Sequence, residues 1–198
     1  MKSSKALARK ILCGLLAAGV VGASGSALAG TACYLNKGSE ANVNVIGKYD
    51  VGIYVAGDNA ISFNGESINL DITPDDADMN NVGVDATVAS TGRAIVNLGK
   101  KDVTKNIDIH VLDNSGNKDF VALGLLAYGS PDYNGGLINV NGKNLNLKVE
   151  SADSFAYGVI AQNTTTDAKN FKRAEININT DNTYIEVKGS KKGEASGI

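Results

Sequence analysis

The sequence predicts an all-β fold, a right-handed parallel β-helix (β-solenoid) with about three strands per coil. Three observations carry this expectation. A Gly-apolar-x-apolar motif recurs as Gly52-Ile53-Tyr54-Val55, Gly83-Val84-Asp85-Ala86, Gly124-Leu125-Leu126-Ala127 and Gly158-Val159-Ile160-Ala161, and begins again at Gly197-Ile198, at intervals of 31, 41, 34 and 39 residues. Each anchor is followed by two short runs that alternate apolar and polar residues, the mark of a strand buried on one face. Asn- and Gly-rich segments separate the runs, and these residues tolerate the left-handed backbone of a sharp corner.

The strands follow in order. The second runs are Ile61-Ser62-Phe63, Val96-Asn97-Leu98, Ile138-Asn139-Val140 and Ile176-Asn177-Ile178. The third begin at Ile68, Ile107, Leu145 and Thr183, and continue through Ile72, Val111, Val149 and Val187. From second to third start the spacing is 7, 11, 7 and 7 residues, so one corner is nearly constant. Corners are expected at Asn64-Gly65, Gly99, Asn141-Gly142 and Asn179-Thr180-Asp181, with Pro74, Pro131 and Asn163 to Thr166 in the longer loops. One coil cannot bury its apolar face alone, whereas stacked coils can. A propeller shares the period but needs four antiparallel strands joined by hairpins, and an immunoglobulin-like sandwich does not repeat in this way.

Residues 1–29 have the order of a secretory signal peptide: Lys2, Lys5, Arg9 and Lys10, an apolar stretch from Ile11 to Val21, then Ala27-Leu28-Ala29. The stretch is too short to span a bilayer as a helix. A lipoprotein signal would need an aliphatic residue where Gly30 precedes Cys33. Cleavage after Ala29 would leave 15 basic against 21 acidic residues, a net charge near −6, which argues against nucleic acid as a partner. Cys13 would leave with the signal. Cys33 alone cannot form an internal disulfide. The expected division is a signal peptide over 1–29, a lead-in or cap over 30–48, and coils over 49–198, open at the C-terminus.

Leader, glycine-anchored coils, Asn- and Gly-rich corners and acidic loops together resemble the passenger domain of an autotransporter (type V secretion) in diderm bacteria, from about Ala41 to Ile198. The resemblance implies export, passage through a C-terminal outer-membrane β-barrel, and display at the cell surface as an adhesin. Its partner would be a glycan or protein on a host or neighbouring cell. No barrel strands follow in this chain, so the resemblance also implies an N-terminal part of a longer protein, meeting the outer membrane only through a barrel it does not contain.

No catalytic, cofactor-binding or metal-ligating set stands out. His110, the single histidine, shares an outward face with Asp108, but no Gly-x-Ser-x-Gly elbow accompanies them and both read as solvated. Asp75-Asp76-Ala77-Asp78 follows Pro74 and lacks calcium-loop spacing, so it reads as a solvated turn. Stacking the second strands aligns Ser62, Asn97, Asn139 and Asn177 in an amide ladder, which joins coils or binds sugars; the third strands align Asp71, His110, Lys148 and Glu186. Outward Tyr54, Leu126 and Ile160 are a partner surface or lie beneath loops. The same fold also serves polysaccharide lyases and hydrolases. Arg93 and Arg173 lie in separate loops and no paired carboxylates mark a coil position, so the expectation is a binding or structural protein without catalysis.

Overall fold

The computed structural model describes residues 32–35, 42–87, 92–129, 133–163, 172–190 and 195–197, and the expected signal peptide lies outside them. Every regular element among these residues is a β-strand. The glycine-anchored segments form one parallel sheet, A: β1 (Ala32–Leu35), β3 (Val51–Ala56), β6 (Asn81–Thr87), β9 (Ala122–Gly129), β11 (Ala156–Asn163) and β13 (Ala195–Ser196), stacked in that order. The second and third runs form sheet B, also parallel. It holds β2 (Val43–Lys48), β4 (Ala60–Phe63), β5 (Ser67–Thr73), β7 (Ile95–Leu98), β8 (Asn106–Asp113), β10 (Leu137–Ser151) and β12 (Glu175–Lys188). The chain is a parallel β-solenoid.

Register follows the sequence repeat. Ile53 pairs with Val84, Val84 with Leu125 and Leu125 with Val159 in sheet A. In sheet B, Ile61, Val96, Ile138 and Ile176 are successive partners, as are Leu70, Ile109, Leu147 and Ile185. These columns form the core between the sheets: Ile53, Val84, Leu125, Phe63, Leu70 and Leu147 are completely buried, and Val159, Ile176 and Ile185 pack against it part-buried. Burying each large aliphatic is worth about 1.5–3 kcal/mol before the cost of ordering the backbone.

Two of the expected corners take another form. Asn141-Gly142 and Asn179-Thr180-Asp181 do not interrupt the sheet but lie inside β10 and β12, so these two coils have two strands where three were expected. The corner survives as a slip in side-chain phase: Ile138, Val140 and Gly142 face in, then Leu145, Leu147 and Val149 do. Lys143 N and Asn144 N still donate to Thr104 O and Lys105 O of the preceding coil at 2.9 and 3.1 Å, so the bend leaves no backbone donor unpaired there. In the coil with the longer spacing, the extra residues make a turn at Lys100–Lys105. Asp102 has a φ of 65°, and the buried Thr104 donates its hydroxyl to Gly65 O at 2.6 Å.

The anchor glycines have a steric cause. A Cβ on Gly124 would lie 2.4 Å from Gly158 O, 2.8 Å from Leu147 Cδ1 and 2.9 Å from Val149 Cγ2; on Gly83 it would lie 2.6 Å from Gly124 O. Here the backbone of each coil presses on its neighbour, and only glycine fits.

The outer face of sheet A decides between the two readings of its outward row. Tyr54, Asp85 and Leu126 do point away from the core, but they are buried, at 6, 3 and 0 % exposure. Tyr54 and Leu126 join Val51, Val82, Val121, Leu123, Tyr128 and Tyr157 in a second apolar cluster, with Phe155 and the part-buried Ile160 against it. The row is thus not a free surface.

Candidate functional site

The exposed face that carries polar chemistry is the outside of sheet B. Strand alternation sends every second side chain outward, and exact register stacks these into columns. In the second-strand column, Asn97 Nδ2 donates to Ser62 Oγ at 3.0 Å, Asn139 Nδ2 to Asn97 Oδ1 at 2.8 Å and Asn177 Nδ2 to Asn139 Oδ1 at 3.0 Å. The expected ladder is therefore hydrogen-bonded from coil to coil. Three further ladders accompany it. Asn179 donates to Asn141 at 3.3 Å; Asn182 to Asn144 at 2.9 Å, and Asn144 in turn to Asn106 at 3.0 Å; Asn69 donates to Asn44 at 2.8 Å, and Asn146 to Asp108 at 3.3 Å.

The next column carries charge. Asp71, His110, Lys148 and Glu186 are successive partners, as the repeat predicts. His110 does not pair with Asp108, however. Its Nδ1 lies 2.9 Å from Asp71 Oδ1 and its Nε2 3.2 Å from Glu150 Oε2, so the ring spans three coils. Glu150 also receives Lys148 Nζ at 2.8 Å and Lys188 Nζ at 3.3 Å, and Lys188 meets Glu186 at 2.5 Å. Lys148 above all, with His110 and Lys188, holds the Glu150 carboxyl down at about 2 against the opposing effect of burial. Lys188 holds Glu186 below its ordinary value too, and is itself raised by the two carboxylates. A carboxyl held ionised in this way is a poor general acid, which needs a raised pKa.

One carboxyl is shifted the other way. Burial pushes Asp85 up to about 7, partly offset by the hydroxyl of Thr87, which donates to it. Its in-register neighbours are Tyr54 and Leu126. Burial first, then the Asp85 charge, raises Tyr54 as well. Asp85 is enclosed within the outer apolar cluster of sheet A, away from the open face.

The remaining residues singled out in the sequence serve corners. The backbone N–H groups of Asp75 and Asp76 donate to Oδ1 of the buried Asp50 at 3.0 and 2.8 Å, Asp78 N donates to Asp76 Oδ1 at 2.9 Å, and Asn117 Nδ2 to Asp78 Oδ1 at 2.8 Å. The acidic turn is thus tied to the preceding and following coils through side chains. Among the described residues, no three His, Cys, Asp or Glu side chains converge as a metal site. Arg93 and Arg173 lie in different loops but meet at one corner: Arg93 donates to Gly135 O at 3.1 Å and Arg173 O at 2.9 Å, and pairs with Glu175 at 3.2 Å. Sequence reasoning missed Glu150 because it enters the network diagonally, two residues beyond the in-register column. It also missed Tyr184, in register with Asn146 and 58 % exposed on this face.

No family model, curated protein or solved structure matches this chain.

Proposed function

We propose that this chain is a passenger segment of an autotransporter-like adhesin, exported and held at the surface of a diderm bacterium, acting by binding and not by catalysis. The observation that carries the reading is the flat polar face of sheet B: a solenoid whose amides and charges are fixed by cross-coil hydrogen bonds is a rigid, extended surface to present to a partner. Preorganised side chains lose little entropy on contact. The signal-like leader and the acidic exported chain support the location. Support for a non-catalytic role comes from Glu150, whose ionised state suits an ion-pair network, and from Asp85, which has the pKa of an acid but is enclosed.

Two assays test this reading. Beads coated with the chain should hold to host or neighbouring bacterial cells, and antibody should label the chain on intact producing cells. Release of reducing ends from uronate-rich polymers would instead identify a polysaccharide-active enzyme, and labelling only after lysis would contradict surface display.

A further inference from the structure

We propose that the outer face of sheet B binds an extended, uncharged β-linked glycan laid along the solenoid axis, with the Tyr184 ring under one sugar and the amides of Asn146 and Asn182 as its hydrogen-bonding partners. The inference rests on the adhesin reading and names its receptor class.

Tyr184 faces outward because Thr183 and Ile185 on either side belong to inward columns of β12. It is 58 % exposed in an outward column whose other members, Asn44, Asn69, Asp108 and Asn146, are all polar, and its hydroxyl donates to Glu186 Oε2 at 3.4 Å. A tethered aromatic plate rimmed by hydrogen-bonding groups matches a sugar, which has an apolar ring face and hydroxyl edges. Asn146 is the in-register neighbour of Tyr184 one coil away, and Asn182 lies two residues before it on the same strand face.

The amides are only half spent. An asparagine side chain has two N–H donors and two acceptor lone pairs, and one rung of a ladder uses one of each. Asn144 spends both donors, on Asn106 Oδ1 and Lys105 O, but Asn146 donates to Asp108 alone and Asn182 to Asn144 alone, so each of these two keeps one donor and its carbonyl oxygen for a ligand. A hydroxyl needs that pair. Coils rise by about 4.8 Å, the strand spacing of a sheet, and an extended β-linked chain advances by a similar step per sugar. The same contacts can then repeat from coil to coil. Beside the amides the carboxylates Asp71, Asp108, Glu150 and Glu186 outnumber Lys148 and Lys188, which pair with Glu150 and Glu186, so the face disfavours an anionic polymer.

Calorimetric titration of the purified full chain with cellohexaose, chitohexaose and the α-linked maltohexaose tests the proposal. One or both β-linked hexamers should bind, the difference between them separating plain hexose from N-acetylhexosamine, and maltohexaose should bind at least about tenfold more weakly. Tyr184→Ala should weaken binding by at least about tenfold with an unchanged urea midpoint, while Tyr184→Phe keeps most of it. If Tyr184→Ala shifts the midpoint, Tyr184→Asn, which restores a rung, takes its place. Equal affinity for maltohexaose, an unaffected Tyr184→Ala variant, or no binding of either β-linked hexamer would overturn the assignment. Coated beads that hold to cells while neither β-linked hexamer binds would overturn this inference alone. Hexamer binding without adherence to any cell would overturn the adhesin reading alone.

Discussion

Asn139 donates its side-chain N–H to Asn97 at 2.8 Å, across adjacent coils and 42 positions of sequence. Such contacts are periodic, so each coil repeats the local problem of the one before it and solves it with the same residue type.

Removing one rung measures what the ladder contributes. Asn139→Ala deletes the bonds to Asn97 and Asn177, but both former partners face solvent and rehydrate. The expected loss is about 1 kcal/mol, seen as a lower urea midpoint with an unchanged slope.

Neighbouring residues on opposite faces should respond very differently to a carboxylate. Leu147→Asp places an unpaired charge at a completely buried position and should cost more than about 4 kcal/mol. Lys148→Asp replaces the cation 2.8 Å from Glu150 with a like charge at a partly exposed position, and should cost about 1 kcal/mol, less in high salt. Equal urea midpoints for the two variants would contradict the inward and outward assignment.

Glycines at anchor and loop positions should differ likewise. Gly124→Ala must displace Gly158 O and two core side chains, and should cost about 3 kcal/mol or more in a urea titration. Gly116→Ala meets nothing within 4 Å, and its φ of 78° alone should cost about 1 kcal/mol.

Two carboxyls make opposite contributions to pH dependence. Glu150 has its pKa lowered from 4.5 to about 2 on folding; its contribution is present above pH 4.5 and is lost as pH falls through 2. Asp85 has its pKa raised from 3.8 to about 7; its contribution is present below pH 3.8 and is lost as pH rises through 7. Urea midpoints across pH should therefore show a smaller acid loss in Glu150→Gln and a flatter decline between pH 4 and 7 in Asp85→Asn.

The inward columns were legible because burial on one face writes itself as alternation, and the anchor glycines because close coil contact excludes a Cβ. Asp71, His110 and Lys148 could be aligned by counting coils. Glu150 could not, since a diagonal contact depends on side-chain reach and not on period. The corners at Asn141-Gly142 and Asn179-Asp181 read as breaks because Asn and Gly favour turns, yet a phase slip of one residue turns the chain while keeping its ladder bonds. The burial of Tyr54 and Leu126 was one of two readings left open, because alternation gives direction and not what lies beyond.

Cross-linking tests the in-register parallel stack most directly. In a Cys13→Ser, Cys33→Ser background, the Asn97→Cys, Asn139→Cys pair should form a disulfide under mild oxidation, since in-register partners lie about 4.8 Å apart, within disulfide reach. The Asn97→Cys, Asn141→Cys pair, displaced two residues along the strand to about 8 Å, should not. Efficient linkage of the second pair and none of the first would contradict the solenoid register on which the polar face depends.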